Sequence, residues 1–122
     1  MKVLKKIIIA ALVFGIFYSC EDSETIAIVK NGTLMDYPDK TLGEAVDDFF
    51  GNPYWYSGVS EDGITFVNVE GTIMFMDKNV DALLQYTISA DKSTFEFSAL
   101  EINEVPQAMI IYLGLVEAMY EQ

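Results

Sequence analysis

The sequence predicts an α+β fold: an antiparallel β-meander of about four strands, with an N-terminal and a C-terminal helix packed on it in two layers. Three observations predict it. A capped amphipathic stretch occupies residues 41–50, a run with a period of two follows from Tyr54, and an apolar stretch with helical spacing closes the sequence.

Taken in chain order, "TIAIVKNGTLM" sets β-branched residues around Asn31-Gly32, a dipeptide suited to a tight turn, and reads as a short hairpin or an extended arm. "YPDKTLGEAVDDFFGNP" reads as the N-terminal helix. Thr41 and Glu44 have the spacing of a capping box, Leu42, Ala45, Val46 and Phe49 share one helical face, and Gly51 with Pro53 ends the run. Asp47 and Asp48 then face water.

Strands are expected near 54–60, 64–76, 80–89 and 94–102, with turns at Asp62-Gly63, Asp77-Lys78-Asn79 and Asp91-Lys92-Ser93. Connections this short allow only antiparallel pairing. Gly71, inside the second strand, marks a bulge or a break. The closing helix is expected from about Val105 to Glu121, with Pro106 in its first turn, where a missing N–H costs little.

The first residues carry a different signal. Lys2, Lys5 and Lys6 precede an uncharged apolar run from Ile7 to Tyr18, the pattern of a secretory signal. As a helix that run spans roughly 18 Å, well short of the roughly 30 Å bilayer core, so a spanning anchor is not expected. Phe17, Tyr18, Ser19 and Cys20 stand where a lipobox would, and here the chain resembles a bacterial lipoprotein precursor. Ser19 fits the pattern, and Tyr18 departs from the small residue usual at its position. The resemblance implies lipid on Cys20, the sole cysteine.

The expected organisation is a signal peptide over 1–19, a lipidated cysteine and acidic tether over 20–25, and a single α+β domain over 26–122. Cleavage before Cys20 removes three of the seven lysines and none of the nineteen acids, which takes the net charge from −12 to −15. The sequence has no arginine and no histidine. Affinity for nucleic acid rests on neutralising phosphates, so that partner class is excluded. An anionic membrane repels such a body, so the lipid must hold it. With Cys20 acylated, the side chains for a Cys/His zinc site or a Ser-His-Asp triad are absent.

The remaining chain also resembles a family. "VKNGTLMDYPDKTLGEAVDDFFGNPYW", "VNVEG", "VDALLQYTI" and "FEFSALEINEVPQ" are similar to an uncharacterised domain of small bacterial envelope proteins with a Y-P-x-x-T-[IL]-G-x-A core, from Val29 to about Gln107. That resemblance implies the fold and transfers no catalytic residue. A looser likeness, in architecture only, is to outer-membrane-assembly lipoproteins and β-lactamase-inhibitor-like domains.

Four constellations are candidates for a site. Asp77, Asn79 and Asp81 open like an EF-hand calcium loop, but Ala82 stands at the turn glycine and Ile88 at the bidentate glutamate, so no metal site is expected. Asp47/Asp48 and Glu61/Asp62 are adjacent acids on a helix and a turn, a placement that does not converge on one glycosidic bond. Tyr54, Trp55 and Tyr56 form an aromatic row that alternation splits between two sheet faces. On the closing helix, apolar residues fill an arc of roughly 220°, against the little over 100° that one core needs. Tyr112 and Met119 lie in that arc.

The expected function is therefore a membrane-anchored envelope lipoprotein, on the periplasmic side or the cell surface, acting as a protein-interaction or scaffolding module. Its expected partners are the membrane, through Cys20, and another envelope protein or itself, at a surface drawn from Tyr54, Trp55, Tyr56, Tyr112 and Met119. No enzymatic activity and no cofactor are expected. The alternative is a small-ligand or cation-binding lipoprotein.

Overall fold

The structure, a computed structural model, describes residues 16–20 along their backbone and residues 22–121 in full. Residues 1–15 of the expected signal peptide and Glu21 of the expected tether lie outside the described residues. Over the described residues the fold is α+β, an open antiparallel sheet with three helices.

The sheet has six strands in sequence order: β1 (Ile16–Cys20), β2 (Gly51–Ser60), β3 (Thr65–Phe75), β4 (Lys78–Ile88), β5 (Phe95–Ile102) and β6 (Val105–Pro106). The four expected strands correspond to β2–β5. The strands at the two ends were not expected, because β1 lies in the signal-like run and β6 in the stretch read as helix. Asn103 and Glu104 both take positive φ, 50° and 72°, and fold the chain back so that Val105 pairs with Ile102. Pro106 therefore sits in an edge strand, where it costs no ladder bond. The third helix starts only at Met109.

Helix α1 (Ser23–Lys30) corrects the expected acidic tether and the hairpin or arm that followed it. Its N-cap is Asp22, whose carboxylate accepts from the amides of Glu24 (3.1 Å) and Thr25 (3.4 Å) and from the Thr25 hydroxyl (2.9 Å). β-Branched residues favour strands only weakly, and here burial of Ile26 and Val29 outweighs that preference. Asn31-Gly32 leaves the helix rather than turning a hairpin. A Cβ on Gly32 would lie 2.3 Å from the Phe95 ring, so a side chain there would require that ring to move.

Helix α2 (Leu42–Phe49) has the expected capping box: the Glu44 amide donates to Thr41 Oγ1 (3.1 Å) and the Thr41 amide to Glu44 Oε1 (2.9 Å). Such a cap contributes about 1 kcal/mol. Leu42, Ala45 and Val46 are buried, and Asp47 and Asp48 are exposed.

Register is continuous across β3 and β4, from Thr65–Ile88 to Phe75–Lys78. The turn between them is Met76-Asp77, with φ 51° and 64°, a position earlier than expected. Gly71 does not break β3, but it marks a bulge in the neighbouring strand: Gly51 pairs with Thr72 and Tyr54 with Glu70, so Asn52 and Pro53 together face Gly71. A Cβ there would sit 2.9 Å from both the Gly51 carbonyl oxygen and Phe50 Cδ2, so the residue admits a close crossing of the chain entering β2.

Helix α3 (Met109–Tyr120) completes the layer. The buried side chains of all three helices join one core with Trp55, Val67, Val69, Leu84, Tyr86 and Leu100. At its centre, Tyr86 meets Phe95, Phe97 and Tyr112 edge-on, while Phe97 stacks on Tyr112 with centroids 3.7 Å apart. The Tyr86 and Tyr112 hydroxyls share a hydrogen bond of 3.0 Å. Burial pushes both phenols above their ordinary range.

Candidate interaction surfaces

Alternation along β2 separates the aromatic row. Trp55 enters the core beneath α1, and Lys30 Nζ lies 5.6 Å from its ring centroid. Tyr54 and Tyr56 project from the opposite face, their rings 5.6 Å apart. Tyr54 is half exposed and Tyr56 is buried. Trp55 and Tyr56 are thus not free surface, which corrects two members of the expected patch.

The face opposite the helices holds a polar row that sequence reading missed. Tyr56 pairs with Asn68 and Asn68 with Gln85, while Glu70 pairs with Leu83 and Leu83 with Glu101. Asn68 Nδ2 donates to the Tyr56 hydroxyl (3.0 Å), and the Ser98 hydroxyl approaches Gln85 Oε1 at 3.5 Å. Burial, joined by the Glu70 and Glu101 carboxylates, holds the Tyr56 phenol well above its usual range, against the lowering effect of Asn68. Tyr56, Phe66 and Leu83 are buried yet stand outside the core that the helices share. Among the described residues, no helix packs on this face. The signal for it was present as Asn68 and Glu70 alternating with Val67 and Val69, but alternation does not say which face is covered.

On α3, Tyr112 and Met119 are core residues, 7% and 0% exposed. That corrects two further members of the patch, since the arc they occupy is covered by the sheet and by α2, and leaves Tyr54. The outward side carries Met109, Ile110 and Leu113 instead, with Ile110 75% exposed. Exposed Met74 from β3 adjoins it across an apolar groove of about 190 Å³ lined by Phe49, Ile73, Ile110, Gly114 and Ala118. The excess apolar arc was legible in sequence. Which side of it met the core was not.

The acidic elements stay apart. Lys40 bridges to Asp48 at 2.8 Å at the mouth of a groove that also holds Asp39, Glu44 and Asp47. Asp91 caps its own turn through Ser89 and Ser93, and the Ser93 and Ser89 hydroxyls bring its carboxyl down to about 2. Asp77 lies in a hairpin turn and Asp81 in β4, an extended path that does not close a calcium loop. Among the described residues, no group of three or more carboxylates or thiols is placed to hold a metal, and no helix is long and apolar enough to cross a membrane.

Cys20 ends β1, its backbone paired with Ser57. No family model, no curated protein and no solved structure matches the chain.

Proposed function

We propose that this chain is an envelope lipoprotein, held to a membrane by lipid on Cys20, whose folded part works as a protein-interaction or scaffolding module. We read its architecture as two layers, with helices on one sheet face. The observation that supports an interaction role is the outward side of α3. A helix that is apolar all round belongs in an interior, yet Met109, Ile110 and Leu113 face outward beside Met74. Contiguous surface of this kind marks contact sites, and methionine adapts to varied partners.

The size of the groove beside it supports this reading over a ligand site at the same place. Sites for whole ligands measure about 300–1,000 Å³. At about 190 Å³ the groove takes a partner's apolar side chain more readily than a ligand of that size. The reading assigns no catalytic residue.

Two variants test it. Cys20→Ser is expected to leave a heavier, unprocessed chain and to abolish incorporation of labelled fatty acid; unchanged labelling sinks the anchor. Leu113→Glu, at an exposed position, is expected to keep the melting temperature while removing products crosslinked in membranes. An unchanged crosslinking pattern would refute the contact surface.

A further inference from the structure

The two edges of the sheet are protected differently. At one, β6 is two residues long and contains Pro106, both devices that discourage pairing. At the other, the first half of β2 is blunted by a register shift between Gly51 and Tyr54, with Asn52 at φ 53° and Pro53 beside it. The second half, Ser57–Ser60, has no charge, proline or bulge in its own strand. Among the described residues it is covered by β1, which pairs as Ile16–Ser60, Tyr18–Val59, Ser19–Gly58 and Cys20–Ser57.

The side that β1 occupies follows from one hydrogen bond. The Ser60 amide donates to the Ile64 carbonyl at 2.9 Å, so it points towards β3. Amides alternate along a strand, and those of Ser57 and Val59 therefore point to the outer edge. Cleavage before Cys20 would remove all of β1 except its last pair. We propose that the edge Gly58–Ser60, whose outward amide is that of Val59, is a strand acceptor, uncovered by maturation, that takes an extended apolar segment of another protein flanked by lysine or arginine.

This rests on the cleavage proposed above. The occupant's chemistry follows from what borders the edge. On the helix side, a groove of about 240 Å³ runs along Ser57, Gly58 and Val59, with Asp22, Thr25, Thr65 and Lys92 in its walls. On the other side, Gly58 pairs with Phe66, and the Tyr56–Asn68 pair lies next along the strand. Main-chain bonds supply affinity in such an addition, and the flanking surfaces select alternate side chains. A mature body of net charge −15 favours a basic flank. The same charge, with Glu61 and Asp62 just beyond the edge, disfavours a second copy.

The test uses the full chain, expressed in bacteria and recovered from membranes in detergent, with its mass reporting cleavage. The probe is a labelled synthetic peptide of residues 14–19 with two lysines added at each end, followed by fluorescence anisotropy. Saturable binding is expected, with slowed hydrogen exchange at the outward amide of Val59. Val59→Pro removes an outward amide without touching the β3 ladder and is expected to weaken binding roughly tenfold, the equivalent of about one hydrogen bond. Val59→Thr is expected to bind normally, and the exchange experiment on the unaltered chain decides the matter if Val59→Pro does not fold. No saturable binding, or slowed exchange elsewhere only, overturns the proposal. A dimer that Val59→Pro dissolves gives the edge to a second copy and overturns it too. A chain that keeps its precursor mass refutes the cleavage and, with β1 retained, this inference; the mass separates that failure from the others.

Discussion

Removing the Tyr112 hydroxyl by Tyr112→Phe isolates one hydrogen bond in the centre of the core. The phenyl ring keeps its stack on Phe97 at 3.7 Å, so packing is unchanged and only the 3.0 Å bond to Tyr86 is lost. Tyr86 is fully buried, and its stranded hydroxyl should cost about 1–3 kcal/mol. The reverse change, Tyr86→Phe, should cost less, because Tyr112 lies nearer the surface, where water can replace the lost partner. Replacing both removes donor and acceptor together and should be close to neutral. The resulting coupling of about 1–3 kcal/mol is measurable by urea unfolding followed through Trp55 fluorescence, with the slope unchanged. For a domain of this size the single variant should lower the melting temperature by roughly 4–8 °C per kcal/mol. A double variant that costs as much as the two single ones combined would refute the shared bond.

Two further outcomes follow from burial. Tyr86, Tyr112 and Tyr56 have phenols raised by desolvation, and Tyr120 is raised by the same cause to about 12. A raised folded value means that the unfolded chain releases its protons first. Their contribution to stability should be intact below about pH 10 and lost as pH rises through 12, with tyrosinate absorbance appearing together with unfolding; early tyrosinate signal from a fully folded chain would contradict the burial. Gly71→Ala should destabilise by about 1–3 kcal/mol through overpacking. Trimming Phe50 to Leu should recover only part of it, because the Gly51 carbonyl still meets the new Cβ; full recovery in a thermal melt would place the clash on the ring alone.

Read from sequence, several features were determined before any tertiary contact. Helix α2 follows from Thr41 and Glu44, whose reciprocal bonds span three residues. Strands β2–β5 follow from alternation, and the lack of arginine and histidine is a matter of composition. These are local or compositional facts, and each is complete within a few neighbouring residues. Tertiary structure alone decided the rest. Helix α1 exists because Ile26 and Val29 have a sheet to cover, although the same residues read equally well as extended. Gly71 is required by Phe50, and the Tyr37 hydroxyl donates to Glu121 at 2.9 Å across 84 positions. The α3 arc offered more apolar surface than one core needs, and only docking against Tyr86 and Phe97 turned Tyr112 inward and left Ile110 and Leu113 outside. Period and composition say that a side is apolar; which apolar side meets which depends on contacts between residues far apart in the chain, and those form only when the layers close.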